Sequence, residues 1–228
     1  MSYIIDALEP YTDVVAQVAS IVTIAHMFTG VLLCRDIYNK KSTQGTPAMP
    51  FIGGIAMGAM VLKHGLILND TAMLQVNTVG IILNLAYIGV YYHYSKDKYN
   101  EVLRPLGIAV AIVSVVIGYA HVESADKVEF RYGMVVTILM LMLLGAPLLD
   151  VRNIIEKKDA SSIIFSLTVM AALVTFLWLL YGLVIKNAFI IFQNGVGFTL
   201  CSIQLFLLFL YGKPAGQKKR AKRLAKKE

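Results

Sequence analysis

The phrase Asn77-Thr78-Val79-Gly80 returns as Asn194-Gly195-Val196-Gly197, 117 residues further along the chain. The same offset lays Arg35, Ile37, Lys40 and Lys41 on Arg152, Ile154, Lys157 and Lys158, and Leu62, Gly65 and Gly80 on Leu179, Gly182 and Gly197. Matches at one fixed spacing over so long a stretch mean a duplicated structural unit. Each copy begins just before a basic loop and ends just after the Asn.

Hydrophobic residues make up 57% of the 228 positions and charged residues only 15%, too apolar for a soluble surface, which needs about a quarter to a third charge. The chain therefore reads as an integral membrane protein. A hydrocarbon core of about 30 Å takes about 20 apolar residues per crossing, and seven stretches qualify: 13–34, 48–68, 72–94, 104–121, 131–149, 163–185 and 188–211. All are expected to be helical, because lipid offers backbone amides no other partner. Asp6 and Glu9 precede the first stretch where a signal peptide carries positive charge, so it reads as a retained crossing.

Lys and Arg set the orientation. Arg35, Lys40, Lys41, Lys96, Lys98, Arg104, Arg152, Lys157, Lys158 and the tail from Lys213 to Lys227 all fall on one side. The other side holds only Lys127, Arg131 and Lys186, beside Glu123, Asp126 and Glu129. The N-terminus is expected outside or in a lumen and the C-terminus in the cytosol. With crossing four left over between the copies, the plan is 3+1+3. The two triple-helix units, 11–94 and 127–211, enter the membrane from the same side and are joined by a linker helix within 95–126. They form parallel repeats about an axis along the membrane normal, with a cavity between them.

On this frame several phrases resemble the SWEET family of sugar transporters: Lys40-Lys41-Ser42-Thr43-Gln44-Gly45 with Pro50-Phe51, Trp178-Leu179-Leu180-Tyr181-Gly182, Val76-Asn77-Thr78-Val79-Gly80, and Gln193-Asn194-Gly195-Val196-Gly197. The resemblance covers nearly the whole chain except the first dozen residues and the tail. It implies a non-enzymatic, bidirectional uniporter of mono- or disaccharides that works by alternating access of the two bundles. A carboxamide both donates and accepts hydrogen bonds, which suits sugar hydroxyls, and the family's binding asparagines map onto Asn77 and Asn194. Taken alone, either amide would more often serve as helix-to-helix glue, and it is the symmetric pair together with the resemblance that favours binding. The family's stacking tryptophan maps onto Trp178, and its repeat mate in crossing two is Val61, so stacking is expected on one side only. Other cavity positions carried over are Thr23, His26, Met57, Met140, Leu143 and Val174. Lys63 and His64 stand where crossing six has Leu180 and Tyr181, and Lys63 is read as snorkelling toward the interface. Of the family's four hinge prolines, Pro50 and Pro147 are present, Gly30 stands at a third place and Ile164 at the fourth.

Apart from their ends, the crossings contain no Asp or Glu, which argues for facilitated diffusion over proton coupling. Neither a nucleotide loop nor a metal cluster is visible, so no cofactor is expected. Cys34 and Cys201 read as packing thiols. The net charge of +7 comes largely from the tail, which is read as a juxtamembrane segment suited to anionic lipid, not to nucleic acid. The expected location is the plasma membrane, with Golgi or another endomembrane as the alternative, and family members form homo-oligomers. The rival function is a PQ-loop-type carrier of another small solute such as an amino acid, although Pro-Gln is missing from both copies.

Overall fold

The computed structural model describes residues 9–143 and 145–212, with side chains throughout except at 145–147. Crossing one is α1 (Thr12–Met27) followed by α2 (Thr29–Lys40). Crossings two and three are α3 (Met49–Leu68) and α4 (Thr71–Tyr94). A π-helical turn, Tyr99–Leu103, leads into crossing four, α5 (Arg104–Val122). Crossing five comprises α6 (Val128–Leu143) and α7 (Gly145–Lys157), and crossings six and seven are α8 (Phe165–Val184) and α9 (Ala188–Tyr211). Among the described residues, seven helical runs are thus long and apolar enough to span a membrane. The loops around 69–70, 123–127 and 185–187 share one face with residue 9, and those around 41–48, 95–98 and 158–164 share the other with residue 212. These are called the N-terminal and C-terminal faces below.

Crossings one and five run further than the hydropathy pattern predicts, to Lys40 and Lys157. Arg35 and Arg152 therefore sit in helical turns, where Arg152 pairs with Glu156 and Lys40 with Asp36 at i,i+4 spacing. Amphipathic ends of this kind extend a helix past the apolar window.

The duplication extends to single backbone angles. Positive φ occurs at Lys41 and Lys158 (52° and 51°) and at Asn69 and Lys186 (54° and 56°), two pairs separated by the same 117 residues. Asp70 caps α4 by accepting the Met73 amide at 2.9 Å, and its repeat mate Asn187 caps α9 by accepting the amides of Phe189 and Ile190 at 3.1 Å. In both copies the helices joined at these caps cross closely. A Cβ on Gly65 would stand 3.1 Å from Met73, and one on Gly182 would stand 2.8 Å from Ile190.

Within each bundle the third helix lies in the middle. α4 packs on α1, α2 and α3, and α9 packs on α6, α7 and α8. The bundles meet through α1 against α8 and α3 against α6, while α5 lies on α3 and α6. At Phe28 the ladder of crossing one slips, with the Val31 amide bonding to Phe28 O. The Tyr87 hydroxyl donates to Met27 O at 3.2 Å, occupying the carbonyl left over. Gly30 makes room for that tyrosine, since a Cβ there would stand 2.4 Å from its ring.

Pro50 lies in the first turn of α3. There its missing N–H would have no intrahelical acceptor in any case, so it starts the helix without bending it. Ile164 is the extended residue just before α8, with φ −93° and ψ 103°. Pro147 falls in the first turn of α7, its side chain outside the described residues, and the basic tail from Lys213 also lies outside them. On the N-terminal face the α5–α6 turn is stapled by Glu123. It accepts from the Tyr119 hydroxyl and from Arg131 Nη1 at 2.8 Å, which together hold its carboxyl down at about 2.

Candidate transport site

A cavity of about 430 Å³ lies between the bundles. Eight of the ten binding positions read from the sequence share its walls: Thr23 on α1, Met57 and Val61 on α3, Asn77 on α4, Met140 and Leu143 on α6, Trp178 on α8 and Asn194 on α9. Two do not. Val174, one turn before Trp178, packs into the apolar cluster of Ala19, Trp178 and Tyr181. His26 is half-buried outside the cavity wall, its Nδ1 enclosed without a hydrogen bond.

Asn77 and Asn194 have the same posture. Each Nδ2 donates to the carbonyl four residues back, Met73 O at 2.8 Å and Ile190 O at 2.9 Å. Among the described residues each Oδ1 has no protein partner, and one N–H is also left over. Each amide therefore keeps both a donor and an acceptor for a ligand. The Trp178 indole is fixed by a 2.8 Å bond from Nε1 to Thr23 Oγ1, and that hydroxyl in turn donates to Ala19 O. Val61, the repeat mate of Trp178, stands on the same cavity wall system without a ring.

The sequence reading missed Gln193, Asn84, Met73, Met27 and the glycines 54, 58 and 80. Most follow from helical spacing. Met73, Gly80 and Asn84 are four before, three after and seven after Asn77, on its face of α4, and Gln193 adjoins Asn194. Buried Gln193 is oriented by a 2.6 Å bond from its Nε2 to Thr137 Oγ1, joining α9 to α6.

The cavity is closed toward the N-terminal face. Trp178 bonds across to Thr23; the Tyr181 hydroxyl donates to Asp70 Oδ2 at 2.8 Å; and the Tyr132 hydroxyl donates to Met60 O at 3.0 Å. Each of these bonds joins one bundle to the other. His64, only 1% exposed, is packed between the rings of Tyr132 and Phe189. Lys63 and His64 thus part company, with Lys63 half-buried and His64 inside the closure. Above the closure lies a polar vestibule of about 790 Å³, lined by Asp13, Gln17, Asp70, Glu129 and Lys186 among others. Toward the C-terminal face the apolar clusters stay separate. Ile37, Phe51, Ile52 and Tyr91 belong to the first bundle, and Ile154, Ala160, Ile163 and Leu207 to the second.

A family profile described as a sugar efflux transporter for intercellular exchange matches residues 13–99 and 130–215, one stretch for each bundle, leaving out α5. The sugar transporter SWEET1 of Drosophila pseudoobscura pseudoobscura is 27% identical over 201 residues, 87% of this chain and 89% of its own. The bidirectional sugar transporter SWEET10 of Arabidopsis thaliana is 25% identical over 183 residues, 78% of this chain and 63% of its own. A solved structure of a eukaryotic SWEET transporter has the same fold, with a TM-score of 0.77 over 88% of this chain and 98% of that one, at 21% identity.

Proposed function

Because this chain belongs to the family of sugar efflux transporters for intercellular exchange, we propose that it carries mono- or disaccharides across a membrane in both directions by facilitated diffusion. The observation that carries this reading is the pair of repeat-related carboxamides, Asn77 and Asn194, with Trp178 in one cavity between the two bundles. The cavity walls hold amides, a hydroxyl, an indole and aliphatic groups, a neutral set that matches a neutral polyol whose hydroxyls need both donors and acceptors. Asn77 and Asn194 bind hydroxyls, Trp178 stacks on the C–H face of the ring, and Thr23, Met57, Val61, Met140 and Leu143 shape the remainder of the site.

Exchange of access is a rocking of 11–94 against 127–211 with 95–126 as linker. Residues 28–30 and Pro147 bend the first helix of each bundle, and Pro50 works at the joint between the 41–48 loop and α3. With the N-terminal face outside and the C-terminus in the cytosol, the closure at Trp178, Tyr181 and Tyr132 makes this an inward-facing conformation. The plasma membrane is the proposed location and a homo-oligomer the proposed assembly, with the basic tail against anionic lipid.

The test is uptake of radiolabelled glucose and sucrose by purified protein in proteoliposomes. Asn77→Ala and Asn194→Ala should each lower flux about 5-fold to 150-fold, a loss of about 1–3 kcal/mol of hydrogen bonding per carboxamide, with elution as a folded species retained. Normal flux of both sugars in both variants contradicts the assignment.

A further inference from the structure

The cavity is longer than the Asn77–Asn194 pair requires. Along α4 its wall runs from Met73 past Asn77 to Asn84, about 16 Å at 1.5 Å per residue. The α9 wall covers only Ile190 to Asn194, so the part nearer the C-terminal face belongs mainly to α3, α4 and α6.

Asn84 lies seven residues beyond Asn77, on the same face of α4 and about 10 Å further along the axis. Its carboxamide repeats the posture of the other two. Nδ2 donates to the carbonyl four residues back, Gly80 O, at 2.8 Å. Among the described residues, Oδ1 has no protein partner. Gly54 on α3 lies directly against this amide, where a Cβ would stand 2.7 Å from Nδ2 and 2.8 Å from Oδ1. Any larger residue would press the carboxamide out of place. The repeat mate of Asn84 is the buried Cys201. The polar rung therefore exists in one bundle only, and the duplication does not account for it.

We propose that Asn84, held against Gly54, is a second sugar-binding position that takes the second ring of a disaccharide. The first ring then lies among Asn77, Asn194 and Trp178. This deepens the transport reading above and rests on it. A ring held at Asn77 has no hydroxyl that reaches 10 Å down the helix, whereas a glycosidically linked second ring has. Met27, Met57 and Leu143, which also line the cavity, offer apolar contact to the C–H faces of that ring. The volume of about 430 Å³ falls in the range of about 300–1,000 Å³ for sites that enclose whole ligands.

Half-saturation concentrations for glucose and for sucrose in proteoliposomes test the assignment. In Asn84→Ala the ratio of the sucrose to the glucose value should rise about fivefold, the loss of one hydroxyl-to-carboxamide hydrogen bond. Gly54→Ala should move the ratio the same way with Asn84 still present, and elution of both variants as folded, monodisperse species reports on folding. An unchanged ratio, whether both sugars are lost together or neither is affected, overturns the second position. So does a wild-type protein that carries glucose and fails to bind sucrose, an outcome that leaves the transport reading standing. A wild type that carries neither sugar overturns both.

Discussion

Tyr181→Phe isolates one of the three bonds that close the cavity toward the N-terminal face. The substitution keeps the ring, which meets Trp178 edge-on at 5.5 Å, and removes only the hydroxyl that donates to Asp70 Oδ2 at 2.8 Å. Both residues are under a tenth exposed in the closed form. The lost interaction is a buried hydrogen bond to a carboxylate, worth about 1.5–3 kcal/mol. Opening already breaks it, so the closed form alone loses that energy and the open-to-closed ratio should rise about 10-fold to 150-fold. A cysteine at Ala72, buried beside the vestibule, reports this ratio when modified by a membrane-impermeant thiol reagent in a background without Cys34 and Cys201. Modification rates follow the open population when opening and closing are fast. The rate should rise by that factor in Tyr181→Phe, and adding Asp70→Asn should have far less than an additive effect. Equal rates with and without the hydroxyl would refute the latch.

Pro147→Ala should lower flux while sugar binding survives, because a static complex needs no exchange of conformations; equal loss of binding would mean the proline holds the fold. Pro50→Ala gains no intrahelical bond in the first turn of α3, so thermal stability should change by less than about 1 kcal/mol; a large loss of stability contradicts the first-turn assignment. Glu123, with its carboxyl near 2 against an ordinary 4.5, stabilises the α5–α6 turn fully above about pH 4.5, and that contribution fades as the pH falls toward about 2. The stability difference between wild type and Glu123→Gln should narrow over this window, and a gap that stays constant would show that the staple contributes nothing.

The fold was legible because duplication and hydropathy are one-dimensional signals. The Asn-x-Val-Gly phrases gave the repeat, and the repeat is obeyed down to the left-handed φ at Lys41, Lys158, Asn69 and Lys186. The ends of crossings one and five were underestimated because the charged turns after Cys34 and Asp150 continue the helix beyond its apolar part. Eight of the ten positions proposed for the site line one cavity. His26, expected on the wall with Thr23, stands outside it with its Nδ1 enclosed and unbonded, because which side chains of a helix face reach a cavity depends on the packing of neighbouring helices and not on spacing alone. The three bonds across the N-terminal closure were not legible, since Trp178–Thr23, Tyr181–Asp70 and Tyr132–Met60 join residues far apart in sequence. The role of Gly54 was hidden for the same reason, because its meaning lies in the amide packed against it.

Counterflow in proteoliposomes tests the central claim most directly. Vesicles preloaded with unlabelled glucose and diluted into labelled glucose, with no proton or sodium gradient, should take up label transiently, and a protonophore should leave the initial rate unchanged. Uptake that requires an imposed ion gradient, or lasting accumulation of sugar above its outside concentration, would contradict facilitated exchange through the cavity of Asn77, Asn194 and Trp178.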